Sequence, residues 1–173
     1  NDCTVRQWNI HTGVCHNMFK FADPVTVTKL KQEINCMFTA CWDKMIRVVD
    51  LKRQVVAKSF IASKETIKEI VLTNNLIIVA GCEPIIRAFT MDTGKQRTFM
   101  GHKGWVYCLM VHGKLLFSGG DDNIIRVWDL ETTFQLEALT AHRNGVTSLA
   151  LCNGDLYSSS FDHYIIHWDL PAL

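Results

Sequence analysis

Residues 117–130 read FSGGDDNIIRVWDL, and residues 157–170 read YSSSFDHYIIHWDL. Serine, aspartate and tryptophan recur in the two stretches at one spacing, four residues from serine to aspartate and six from aspartate to tryptophan. A histidine precedes each copy, His102 in GHKGW and His142 in AHRNG. Serine, histidine and aspartate are the residue types of a hydrolytic triad. A duplicated triad at a fixed interval is an odd arrangement for a catalyst, and the interval itself decides what these residues mean.

Moving outward from the tryptophan, the chain offers TVRQWN, MIRVVD, IIRAFT, IIRVWD and YIIHWD. The anchors are Trp8, Val49, Phe89, Trp128 and Trp168, separated by 41, 40, 39 and 40 residues. A period near 40 marks a repeat architecture with one supersecondary unit per repeat. An arginine stands two residues before the anchor four times, at Arg6, Arg47, Arg87 and Arg126, and Ile166 takes that place in the fifth copy.

The clearest repeat divides into WVYCLMVH (105–112), KLLFS (114–118), IIRVWDL (124–130) and FQLEAL (134–139), separated by Gly, Asn and Asp clusters. Those clusters supply turn chemistry between short strands. The first three segments are apolar on both faces. The last alternates, with Phe134, Leu136 and Ala138 opposite Gln135 and Glu137. This pattern predicts a four-stranded antiparallel sheet with buried inner strands and a half-buried outer strand. One such sheet must stack on another to bury its faces. SKETIKEIVL at 63–72 competes, because Ile67, Ile70 and Val71 have helical spacing behind Ser63. The repeat register aligns 66–72 with the strand at 105–111 and favours a strand there.

Charge is nearly balanced, at +1 over 173 residues. It gives no electrostatic reason to bind nucleic acid or an anionic membrane. No apolar run approaches the ~18–20 residues of a membrane span. Seven cysteines without a CxxC pair read as small core residues of a reducing compartment. An intracellular location, cytoplasmic or nuclear, follows as the expectation. Asp121, Asp122 and Asp129 lack the spacing of a calcium loop. SGGDDN lacks the GK[ST] of a phosphate loop. Neither metal nor cofactor is expected.

With GHKGW followed by FSGGDDNIIRVWDL inside one period, the chain resembles the WD40-repeat family. The resemblance implies an all-β fold, a WD40 β-propeller of about four to five blades forming part of a ring. The blades would be a partial unit at 1–21, whole units at 22–62, 63–100 and 101–140, and one lacking its last strand at 141–173. The resemblance further implies the C-terminal portion of a longer protein. Uncovered blade faces would then make self-association of the isolated piece an expected hazard.

The family pattern carries a structural tetrad of histidine, serine, aspartate and tryptophan. It maps onto His102, Ser118, Asp122 and Trp128, then onto His142, Ser158, Asp162 and Trp168. The aligned positions elsewhere are Asp23, Thr39, Asp43 and Val49, then Ser63, Val79, Glu83 and Phe89. Those two repeats lack the tetrad, which predicts blades held by apolar packing alone. A serine hydrolase built on Ser118, His102 and Asp122 is the remote alternative. Against it, Ser118 lies inside an apolar strand, and no GxSxG elbow exists.

Recognition of other proteins is therefore the expected function, through loop residues on one face. The resemblance implies three contact positions per blade. They give Lys103, Trp105 and Asp121, then Arg143, Gly145 and Phe161, with Pro24, Thr26 and Trp42, and Lys64, Thr66 and Cys82, in the degenerate repeats. Large aromatics at Trp42, Trp105 and Phe161, interleaved with Lys64, Lys103 and Arg143, suit interface hot spots. A ubiquitin-ligase adaptor is an alternative, though the WDxR mark of some such propellers is missing after Trp128 and Trp168. The compact hairpin VHGKLLFSGG resembles those of propellers joined to RING or other zinc-finger modules.

Overall fold

A computed structural model describes residues 2–169, so Leu170 and Pro171, which bear on the adaptor motif, lie outside the described residues. Among the described residues, seventeen strands fold into five antiparallel sheets, each a simple meander in which sequence neighbours pair. The first sheet pairs β1 (Thr4–Trp8) with β2 (Cys15–Lys20). The second holds β3 (Val25–Lys31), β4 (Cys36–Cys41), β5 (Met45–Asp50) and β6 (Val55–Ile61). The third holds β7 (Ile67–Leu72), β8 (Leu76–Gly81), β9 (Glu83–Thr90) and β10 (Gln96–Met100). The fourth holds β11 (Val106–His112), β12 (Leu115–Gly120), β13 (Ile124–Asp129) and β14 (Gln135–Thr140). The fifth holds β15 (Val146–Cys152), β16 (Asp155–Ser160) and β17 (Ile165–Trp168). Among the described residues the one helical element is a 3₁₀ turn at Gln32–Ile34, and no helix is long and apolar enough to cross a membrane.

The segment with helical spacing is the strand β7. A register shift between Ile67 and Glu69 marks a β-bulge, and the inner strands β3, β11 and β15 carry equivalent shifts. A bulge adds one residue, so side chains three apart reach the same face. Ile67 and Ile70 thus pack together against Phe38, Ala40 and Ile46 of the second sheet. Val106 and Leu109 do the same against Ile78, Ala80 and Phe99 of the third. The apparent helical period is the signature of a bulged inner strand.

The core lies between the sheets. One cluster joins Phe21, Met37, Cys41 and Val49 with Val5 and Phe19 of the first sheet, and another joins Phe117, Ile125 and Val127 with Val146 and Leu156. The five sheets therefore form an open arc of blades, each covering its neighbour's face.

Two expectations are corrected. Phe134, just before the outer strand β14, and Leu136 within it are 73% and 52% exposed, while Leu139 joins the core cluster of the last two blades. Gln135, Glu137 and Ala138 are exposed as well, because β14 is the outer edge strand of its sheet and no further strand covers it. Of the seven cysteines, Cys41 and Cys108 are buried, while Cys15 and Cys152 are exposed and all are free thiols. Burial pushes the Cys108 thiol up to about 12 and the Cys41 thiol up to about 11, which leaves both protonated and inert.

Phe99 is fully buried between the third and fourth blades, edge-on to Trp128 at 5.9 Å. Phe99→Ala is expected to lower stability by about 3–5 kcal/mol, measured by urea unfolding.

Candidate functional site: an acid-pinned interaction face

In the fourth blade the brace runs without a gap. Trp128 Nε1–H donates to Ser118 Oγ at 2.8 Å, and Ser118 Oγ lies 2.7 Å from His102 Nε2. His102 Nδ1 lies 2.9 Å from Asp122 Oδ1. With Ser118 O–H donating to Nε2 and Nδ1–H donating to Asp122, each donor in the chain has an acceptor. The fifth blade repeats it: Trp168 to Ser158 at 2.8 Å, Ser158 to His142 at 2.7 Å, and His142 to Asp162 at 2.9 Å.

The separations between Ser118, His102 and Asp122 are those of a hydrolytic triad, yet the surroundings oppose catalysis. Ser118 is fully buried, and its hydroxyl oxygen already accepts the Trp128 indole. A nucleophile needs access to substrate and an oxyanion hole beside it.

The other blades are not held by apolar packing alone, which corrects the expectation from sequence. In the third blade Glu83 replaces the aspartate. It accepts from Ser63 Oγ, from the Lys64 amide at 3.0 Å and from both Arg87 guanidinium nitrogens, one of them at 2.9 Å. The longer side chain of glutamate reaches Ser63, which is shorter than the histidine it replaces. In the second blade Asp43 pairs with Arg47 through both carboxylate oxygens. Arg126 reaches Asp122 at 2.6 Å, and at the surface Arg6 reaches Asp2 at 2.9 Å.

The arginines were legible as a repeated feature, but their role was not. The signal is the spacing of four from acid to arginine in Asp2/Arg6, Asp43/Arg47, Glu83/Arg87 and Asp122/Arg126.

One contact joins this buried chemistry to the surface. The carboxylate accepts the backbone amide of the residue that begins the face: Lys64 to Glu83 at 3.0 Å, Lys103 to Asp122 at 3.0 Å, and Arg143 to Asp162 at 2.8 Å. In the second blade the equivalent residue is Pro24, which has no N–H to give. A second set of bonds closes each loop: Trp42 N to Pro24 O, Cys82 N to Thr66 O, Asp121 N to Trp105 O and Phe161 N to Gly145 O, at 2.8–3.0 Å.

These bonds bring the contact positions onto one face. Trp42, Trp105 and Phe161 are 53%, 50% and 55% exposed, and Lys64, Lys103, Asp121 and Arg143 are exposed beside them, while Gly145 is buried. Trp105 and Phe161 are bridged by Tyr107, whose ring meets them edge-on at 6.5 and 5.9 Å. Tyr107 O–H donates to Asp121 Oδ1 at 3.0 Å. Sequence reading missed Tyr107, because strand alternation around buried Val106 and Cys108 is its one signal. Gly145 is small for a reason: a Cβ there would lie 3.1 Å from the Tyr107 ring.

Burial would raise the Asp122 pKa, but His102, the Lys103 amide and Arg126 outweigh it and hold the carboxyl far below the ordinary aspartate range. Burial likewise opposes Arg87, Ser63 and the Lys64 amide at Glu83, and loses. Among the described residues no group of three or more His, Cys, Asp or Glu is placed to hold a metal ion.

The braced, four-stranded sheets have the fold of a WD40 β-propeller, and two segments of the chain are WD40 repeats. The family model for the WD domain, G-beta repeat, matches residues 94–129 and 133–169. Transducin beta-like protein 3 of Mus musculus is 35% identical over 107 residues, which is 58% of this chain and 13% of that protein. Zinc finger CCCH domain-containing protein 17 of Oryza sativa subsp. japonica is 26% identical over 176 residues, covering 99% of this chain and 31% of that protein. The chain thus matches less than a third of the length of either relative. The WD40 β-propeller domain of Doa1 superposes with a TM-score of 0.86 at 22% identity, over 98% of this chain and 58% of that one. The computationally designed Ika4 protein superposes with a TM-score of 0.80 at 18% identity, over 87% and 94%.

The serine position separates the blades. Ser118→Ala strands the Trp128 indole and the His102 ring and is expected to cost about 1–3 kcal/mol. Thr39, at the same position of the second blade, is fully buried with its hydroxyl unpartnered. Thr39→Val is expected to raise stability by about 1 kcal/mol. Urea unfolding of both variants should show opposite signs.

Folded pKa values below the ordinary ones mean that the unfolded chain binds more protons in acid. The stabilisation from Glu83 and Asp122 is complete at neutral pH. It drains as pH falls below the ordinary values of 4.5 and 3.8 toward the lower folded values. Thermal midpoints recorded from pH 7 to pH 3 should fall steeply at the acid end, and less steeply for Asp122→Asn.

Proposed function

We propose that the chain is a non-enzymatic scaffold that binds other proteins through the face bearing Trp42, Trp105, Asp121 and Phe161. The observation that carries this is the bridged aromatic set Trp105–Tyr107–Phe161, half exposed and mutually edge-on. Rigid aromatics lose little entropy on binding and dominate interface energetics. Lys64, Lys103 and Arg143 surround them with cations whose backbone amides are fixed by the carboxylates below. WD40 propellers as a class mediate protein–protein contacts, and the sealed serine favours recognition over hydrolysis.

Membership in a larger zinc-finger protein is the second reading. The rice relative, named for its CCCH zinc finger, matches nearly the whole chain. No comparable observation favours the ligase adaptor.

Trp105→Ala combined with Lys103→Glu is expected to remove specific partners in quantitative affinity purification, with the thermal midpoint within about 2 °C of the parent. Unchanged partner recovery would overturn the assignment of this face. A large fall in midpoint would make Trp105 a packing residue.

A further inference from the structure

The anchor position has a consequence away from the interaction face. Between the third and fourth blades the Trp128 indole fills the wedge, almost fully buried and edge-on to Phe99. Between the second and third blades the anchor is Phe89, edge-on to Phe60 at 5.2 Å. Phe60 and Phe99 are equivalent, each paired across the sheet with an isoleucine, Ile46 and Ile86 respectively. Phe89 presents a smaller ring at this anchor position than Trp128 does one blade on. A cavity of about 400 Å³ opens there, walled by Phe38, Val48, Phe60, Ile77, Phe89 and Met91. That volume falls within the ~300–1,000 Å³ of small-molecule sites.

We infer that this inter-blade cavity binds a planar aromatic ligand of about two fused rings carrying an anionic group. Three phenyl rings and a thioether line it, and such walls favour flat aromatic guests through edge contacts and sulfur contacts. A guest of about two fused rings is within the size that a cavity of this volume accepts. One cation reaches the cavity: Lys58, exposed, with Nζ 5.9 Å from the centre of the Phe60 ring. Among the described residues Lys58 forms no salt bridge, so its charge is available to a carboxylate at the mouth. The walls come from β4, β5 and β6 on one side and from β8, β9 and the turn after β9 on the other. None of the residues proposed for partner binding contributes to them. The cavity and the interaction face are therefore independent.

The test uses 2-naphthoate as the probe and 2-naphthylmethanol as its neutral counterpart, titrated into the protein and followed by calorimetry and NMR. Saturable one-to-one binding of naphthoate, with NOEs to the Ile77 and Val48 methyl groups, is expected. The alcohol should bind roughly threefold more weakly, as an exposed ion pair allows, and Lys58→Gln should bring naphthoate to the alcohol's level. Phe89→Trp fills the wedge from one side and Val48→Phe from the other. Either variant, shown to be folded by its cooperative melt, should abolish binding of both probes. No saturable binding to the parent protein would overturn the inference, as would NOEs to other residues or naphthoate and alcohol binding equally. Because the NOE readout needs no variant, a filling substitution that misfolds does not rescue or sink the proposal.

Discussion

The structure turns on a carboxylate placed in the tight turn between the second and third strands of a blade. Glu83, Asp122 and Asp162 each accept the backbone amide of Lys64, Lys103 or Arg143, the residue on which the chain enters its inner strand. Hydrogen bonds to an ionised acceptor are about twice as strong as neutral ones. They form here in partly or fully buried surroundings, where an unpaired carboxylate would be costly. The loop between blades and the turn within a blade are thereby fixed to one another. The arginine four residues after the acid, present at Arg47, Arg87 and Arg126, neutralises the carboxylate from the strand side. Histidine or serine approaches from the loop side. These partners interchange between blades, whereas the carboxylate is common to all of them.

That pin accounts for the character of the surface above it. The side chains of Lys64, Lys103 and Arg143 are free in solvent, but their backbone is not. Trp105 and Phe161 belong to the same two loop closures, Asp121 N to Trp105 O and Phe161 N to Gly145 O, and Tyr107 supports both rings from beneath. The second blade shows the contrast. Pro24 gives no amide, Asp23 stands where His102 and His142 stand, and the Thr39 hydroxyl is stranded. Trp42 is presented there by one loop bond and the Asp43–Arg47 pair. Preorganisation of the face is greatest over the last two blades and least over the second.

The sequence carried the period of 40 and the complete braces openly, because each member is a side chain with a fixed offset from its neighbours. It also allowed 66–72 to be placed as a strand by register, against the helical spacing of Ile67 and Ile70. What it hid was set by backbone geometry. A bulge adds a residue to an inner strand and mimics a helical period, and β14 lies at the outer edge of its blade, so Phe134 and Leu136 are exposed despite their alternation with polar residues. The brace of the third blade was missed because two changes compensate: a shorter partner at Ser63 meets a longer acid at Glu83. Judged one position at a time, each looks like a loss. Judged by reach, the pair restores the contact. Tyr107 was missed because its role depends on rings contributed by two different blades.

Comparison of the second, third and fourth blades separates two duties that the tetrad performs together. The acid, with its arginine and the loop amide, fixes the turn. The tryptophan fills the wedge against the preceding blade and ties its indole to the serine. In the third blade the first duty survives through Glu83, Arg87 and Ser63, while the second is relaxed: Phe89 has no indole N–H to tie to a serine, and an apolar cavity lies beside it and Phe60. The loop pinned by Glu83 is therefore held independently of how well the wedge behind Phe89 is filled. In the second blade both duties are weakened, since Val49 replaces the indole and Pro24 removes the amide. A blade can lose its tryptophan without loosening the face it presents, provided that the carboxylate and its amide remain.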